Sequence, residues 1–237
     1  PNGPNPGGGG CWEAPINKAM KTVLHNFFSS LPLGARVLVG LYALGFPLEC
    51  VGHYTNSVEL HDWLGLCPAL VWKGEIWGVV TYAFLPNGIV DWVVSLFWLA
   101  TLIAVIGRHW SGRALWGYCL LATVTAALVV AVFKPGMQDP VVGNGAMIFA
   151  LLAAWYRLYG RERLVLLGIG EMSVRQTAIL VALVEVLISW FCLGWLVTLA
   201  MMSGGAAGWL YLYLSGKHAM NRRSQVVESE RIARLEL

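Results

Sequence analysis

Four side chains stand out because their chemistry conflicts with their surroundings. Asp91, Ser95, Asn144 and Glu185 lie within long apolar runs or at their ends. A charge at mid-bilayer costs at least about 2.5–3.5 kcal/mol on insertion scales, so an ionisable group there faces a helix bundle or a water-filled cavity. Glu185 could be a proton site or a contact for a partner. It could equally be a structural carboxyl, kept protonated because burial disfavours its charged form. Asp91, near the end of its run, could simply touch water. Asp91 and Ser95 stand one helical turn apart, but a Ser–Asp pair lacks a base of suitable strength. Ser203 and His218 are fifteen residues apart, about 22 Å along a helix and far beyond hydrogen-bond reach.

Cofactor chemistry finds little to stand on. The histidines, His25, His53, His61, His109 and His218, fall in loops or near the ends of apolar runs, so none is placed as an axial ligand inside a bundle. Five Cys without C-x-x-C spacing give neither a disulfide framework nor a zinc site; whether Cys50 and Cys67 pair is open. Gly168–Ile169–Gly170 is a lone G-x-G in a basic loop and carries little information. No cofactor and no metal is expected.

The elements that position these groups follow from composition. The chain is 57% hydrophobic and 12% charged, with 12 Trp and 27 Gly among 237 residues, and its mean hydropathy is +0.64. Soluble domains carry about 25% charge, so an ordinary cytosolic enzyme is disfavoured, and intrinsic disorder is excluded. A net charge of +3 is too small to imply a nucleic-acid partner. Residues 1–11 read as a flexible Pro/Gly/Asn leader. Residues 12–33 read as an amphipathic helix on the membrane surface, or as a solvated helix packed on the body. Six apolar segments follow, near 35–54, 87–106, 114–133, 143–158, 176–196 and 198–215. Without water to satisfy free backbone groups these must be helices, giving an all-α, polytopic six-helix membrane domain over 34–216. The tail 217–237 is charged, and its Glu230–Arg234 spacing suits a solvated helix.

Placing both termini on one side puts fourteen of the sixteen cations there and leaves only Lys73 and Lys134 opposite. The positive-inside rule assigns that side, and both termini, to the cytoplasm. Small residues repeat every four positions at Ala146, Ala150 and Ala154 and at Ala200, Gly204 and Gly208, a spacing that lets helix backbones approach closely. The fourth and sixth segments are therefore expected to touch.

Three strings resemble rhomboid intramembrane proteases. LGLCPALVWKGEIWGVVTYAFL (64–85) is similar to the end of the rhomboid first loop, VVGNGAMIFALLAAW (141–155) to the fourth span that opens on Gly-x-Ser-Gly-Ala, and MMSGGAAGWLYLYLSG (201–216) to the sixth span that opens on His-x-Gly-Gly. The resemblance covers residues 35–216 and implies a six-helix rhomboid-like bundle. The family's mechanism does not transfer with it. Asn144 stands where the resemblance implies the nucleophilic Ser, and Met202 where it implies the His base; neither side chain can do that work. Asp91 and Ser95 replace a His-x-x-x-Asn pair that helps stabilise the oxyanion, and a carboxylate would repel that charge. Trp77–Gly78 replaces a Trp-Arg pair. Changes at every functional position point to a natural pseudoprotease rather than an enzyme.

In active rhomboids a substrate helix enters between the second and fifth spans. Retention of that groove implies binding of transmembrane segments, with Glu185, Trp190, Phe191 and Trp195 lining or flanking it; the aromatics could equally face lipid. The partners expected are membrane lipid and other integral membrane proteins, either client helices or a complex in which this chain is an accessory or scaffold subunit. Two alternatives stand beside this reading: an active protease with atypical residues, and a small transporter using Asp91, Asn144 and Glu185 as polar stations. With no Arg- and Ser-rich transit peptide, a bacterial cytoplasmic membrane is the default location.

Overall fold

The computed structural model describes residues 31, 33–54, 60–107, 110–160, 162–166 and 170–235, and their side chains except at 52–54, 60, 164–166, 170 and 217–235. The leader and most of the expected amphipathic helix lie outside these residues. The architecture is all-α and polytopic: α1 (Leu33–Tyr54), three short helices α2 (Leu60–Leu64), α3 (Pro68–Val71) and α4 (Gly78–Thr81), a 3-10 turn (Tyr82–Phe84), then α5 (Ile89–Ile106), α6 (Gly112–Phe133), α7 (Gly145–Tyr159), α8 (Val174–Cys192) and α9 (Trp195–Leu235). A small antiparallel hairpin, β1 (Arg163–Leu166) with β2 (Gly170–Ser173), joins α7 to α8. The lone G-x-G ends at the first residue of β2.

Five helices are long and apolar enough to cross a membrane: α1, α5, α6, α8 and the first 22 residues of α9. The fourth expected span differs. At 15 residues, α7 is about 22 Å long at 1.5 Å per residue, against a hydrocarbon core of about 30 Å. It is accommodated because it is central: Ala146, Ala150, Leu151 and Ala154 are buried by neighbouring helices, so its ends meet protein rather than lipid. The segment before it is irregular, which is tolerated at membrane depth only where backbone lies within protein or lines a cavity.

Polar caps mark two helix starts. The Ser111 hydroxyl accepts from the Ala114 N–H at the start of α6, and Ser173 and Gln176 form a capping box at α8. The break between α8 and α9 falls earlier than the apolar pattern indicated. It is the two-residue corner Leu193–Gly194, with Gly194 at φ +90°, so α8 ends at Cys192 and not near 196. Beyond residue 216, α9 continues without interruption through the charged tail.

Successive long helices alternate in direction. Gly34 lies against Gly112, the Tyr159 hydroxyl donates to the Val105 carbonyl (3.1 Å), and Arg157 and Arg175 sit over Trp209 and Tyr156. These contacts gather the start of α1, the end of α5, the start of α6, the end of α7, the start of α8 and the middle of α9 at one basic end. At the opposite end the first loop is pinned to the bundle. Tyr82 donates to the Thr123 carbonyl (3.0 Å), Trp72 to that of Ala131 (3.2 Å), Thr81 to that of Leu64 (2.6 Å), and Leu66 bridges to Val141. Gly78 has its own steric reason to be glycine, since a Cβ there would sit 2.7 Å from the Gly65 carbonyl oxygen.

Candidate functional site

The four polar residues converge. Asp91 and Ser95 on α5, Asn144 before α7 and Glu185 on α8 line one cavity of about 100 Å³ at the end opposite the arginines. Asn87, Tyr82 and Ser189 join them, among walls supplied by Val130, Ile148, Val197 and other apolar groups. The volume would hold about three waters, or one side chain, at about 30 Å³ per water.

Each polar group has a distinct status. The Asp91 carboxylate accepts from the Asn87 backbone N–H (2.8 Å) and from the Ser95 hydroxyl (3.1 Å). It stands in the first turn of α5, where the helix dipole favours an anion. This local satisfaction explains how a carboxylate persists here. Ser189 is held as well: the Thr198 hydroxyl donates to its hydroxyl (2.9 Å), fastening the start of α9 to the end of α8. Asn144 differs. It is 2% exposed, its side chain caps no backbone group of α7, and its buried Nδ2 has no hydrogen-bond partner. Such an orphan donor costs about 1–3 kcal/mol and is rare in a folded chain. Gly143, at φ +123°, turns the chain into this position, and its N–H is held by the Tyr82 carbonyl (3.1 Å).

Met202 is not in the cavity. It is 53% exposed and faces a different surface, a groove along α7, α8 and α9. Met201 lies against Gly145 and lines the cavity instead. The inward face of α9 carries Val197, Ala200, Met201, Gly204 and Gly208, and a helix turns about 100° per residue, which swings Met202 outward. The same rotation places Trp190 and Phe191 away from Glu185 and Ser189; they are 55% and 81% exposed, and Trp195 is 47% exposed beyond the corner. None of these three aromatics lines the cavity. Among the described residues, no histidine lines it either.

Helix spacing carried the signals that were missed. Asp91 and Ser95 stand four residues apart on α5, as do Glu185 and Ser189 on α8, so each pair shares a face; Asn87 precedes α5 and joins through its backbone N–H. The small-residue repeats do meet. A Cβ at Gly204 would lie 2.7 Å from the Ala146 Cβ, and one at Gly208 would lie 2.9 Å from the Ala150 Cβ and 2.6 Å from the Tyr118 hydroxyl. Ala154 and Ala200 are buried along the same seam. Cys50 and Cys67 are free thiols.

The fold and this cavity define a polytopic, all-α integral membrane protein with a polar pocket at one end of its bundle. Residues 35–229 match the family described as Eukaryotic integral membrane protein (DUF1751), and the chain belongs to that family. The match corrects the expected location: the family is eukaryotic, so the membrane is not a bacterial one, and the absence of a transit-peptide composition did not bear on that question. No curated protein matches the chain significantly.

Proposed function

We propose that the protein is a rhomboid-like pseudoprotease that binds a transmembrane segment of another membrane protein, as an accessory or scaffold subunit of a larger membrane complex. The resemblance of residues 64–85, 141–155 and 201–216 to rhomboid motifs supports the superfamily. The binding reading rests on one observation, the buried and unpartnered Asn144 amide in a cavity that α5 and α8 flank. It is a donor without an acceptor, in a cavity that the Asp91 and Glu185 carboxyls also line. One polar side chain from an approaching helix would give the amide its acceptor. Proteolysis is the less supported reading, because acyl transfer needs a nucleophile activated by a base and, among the described residues, the cavity lining holds Ser95 and Ser189 but no histidine.

The test is a photo-crosslinking residue at Ile188, which lines the cavity and is 53% exposed. Full-length protein in native membranes should give discrete adducts on a transmembrane peptide, lost in Asn144→Leu. Fixed stoichiometry would indicate a subunit, and varied sub-stoichiometric adducts a client binder; adducts with lipid alone would sink the proposal. Labelling by a serine-directed fluorophosphonate, under conditions that label an active rhomboid, would restore the protease reading. Transport is a second reading, favoured by the convergence of Asp91, Asn144 and Glu185; it requires proton or solute flux in liposomes that vanishes in Glu185→Gln.

A further inference from the structure

A second surface feature lies beside the cavity on the same flank of α7, further toward the basic end, and Phe149 lines both. Helices α8 and α9 are joined at Leu193–Gly194 and clamped there by Thr198 and Ser189. Toward the basic end they spread, and α7 forms the floor between them. The result is an open groove of about 440 Å³. Ala178 and Ala182 form one wall, Gly205 and Ala206 the other, and Phe149 and Ala153 part of the floor. At its basic end the Tyr156 and Trp209 rings meet edge to face, centroids 5.6 Å apart.

Two guanidiniums stand against those rings just outside the groove lining, and Arg157 also lines a neighbouring hollow with Trp110, Tyr211 and Ser215. Arg157 sits over the Trp209 ring at 5.7 Å and Arg175 over the Tyr156 ring at 5.5 Å. Both are exposed, and among the described residues neither forms an ion pair with a carboxylate. The side chain of Arg175 crosses Gly160, at the C-terminus of α7. The helix dipole there supplies about half a negative charge, well short of two cations. The ring contacts hold both charges beside the basic end of the groove. A packed helix would need the small walls but not the charges. A phospholipid needs both, a slot for a chain and cations at headgroup depth.

We propose that this groove binds one anionic phospholipid, its phosphate bridged by Arg157 and Arg175 and an acyl chain lying over Ala153 toward Phe149. Bidentate guanidinium–phosphate bonds are among the stronger charge-assisted contacts, and they would fix the lipid where annular lipid exchanges freely.

The experiment reconstitutes the full chain in phosphatidylcholine nanodiscs containing a minor fraction of phosphatidylserine or phosphatidylcholine with a photoreactive acyl chain. The expected label with phosphatidylserine falls on the α7 floor, residues 149–156, and exceeds that with phosphatidylcholine. Arg157→Gln and Arg175→Gln should each lower it roughly fivefold, while Lys134→Gln, at the opposite end of the bundle where α6 stops, should leave it unchanged. Ala182→Phe narrows the slot without touching either arginine and should lower floor labelling too; if an arginine variant fails to elute as a single species, this variant and the lipid comparison decide. Equal labelling by the two lipids, a floor that stays unlabelled, or a co-purifying membrane protein covering residues 149–156 would each overturn the proposal.

Discussion

The two flanks of α7 are built to opposite specifications. Toward α9, glycine and alanine bring the backbones so close that Gly204 has no room for a methyl group beside Ala146, and the Tyr118 hydroxyl reaches across from α6 to the Ala150 carbonyl at 2.6 Å. Between α5 and α8 the packing stops short. Helix α8 rests on α7 and α9 and makes no more than grazing contact with α5, and only 22% of its apolar span is buried, against 50% for α6. Apolar burial cannot explain the difference, since lipid is as apolar as leucine; close van der Waals packing holds helices together in a bilayer. The seam has that packing and the other flank lacks it. One side is therefore the scaffold, and the other is free to receive a group.

This contrast is most exposed to test at Gly204. Valine there must displace the Ala146 backbone, and overpacking of that kind costs about 3 kcal/mol. Gly204→Val should lower the melting temperature in mild detergent sharply, whereas Val93→Ala, on the exposed face of α5, should stay within about 0.5 kcal/mol. A Gly204→Val protein that melts like the parent would remove the scaffold side of the comparison. Tyr118→Phe probes the same seam more gently. It deletes the bond to Ala150 and should cost about 1 kcal/mol, read by the same melt.

The sequence carried the scaffold more fully than the pocket, for a physical reason. Long apolar runs, cation asymmetry and small-residue spacing are one-dimensional signals, and they located five long helices, a shorter central one and the α7–α9 contact. The α8–α9 corner escaped because the apolar run continues through Leu193 and Trp195, and only the positive φ of Gly194 breaks it. The convergence of Asp91, Asn144 and Glu185 needed three helices brought together, which no spacing rule supplies. Reading Met202 rather than Met201 as inward is the same difficulty at finer scale: one residue is 100° of rotation, and a crossing angle decides it. The groove beneath Trp209 was invisible, since its walls come from three separate segments.

On the open flank, Asn144→Leu should act in the reverse direction. Removing an orphan buried donor in favour of an apolar group of similar size is neutral or stabilising, by up to about 1 kcal/mol, so the melt should hold or rise while crosslinking at Ile188 disappears. A large loss of stability would mean that the amide is a structural group, and the two flanks would then differ less than the geometry indicates. The rim of this end can be read through Cys67. Burial pushes its thiol up from its ordinary range, helped by the charges of Asp62, Glu75 and Asp139, and its Sγ points at the Gln138 carbonyl. A raised pKa keeps the thiol protonated to higher pH, so maleimide labelling near neutrality should be slower at Cys67 than at exposed Cys50 and should climb as pH rises through the alkaline range. Equal rates for the two thiols at neutral pH would show the first loop open.

The smallest effect is expected at Phe191, and its size separates two roles for the aromatic group at the α8–α9 corner. Phe191 is 81% exposed and lies off the face that carries Glu185 and Ser189. A ring that faces lipid can be removed without leaving a cavity, so Phe191→Ala should change the melt by less than about 0.5 kcal/mol. Partner capture at Ile188 should also persist, because a helix entering between α5 and α8 would meet the Glu185 face first. If capture fell while the melt stayed constant, the partner would have to wrap past the pocket onto the outer face of α8. The open flank would then extend round the corner to Trp190 and Trp195 instead of ending at the cavity.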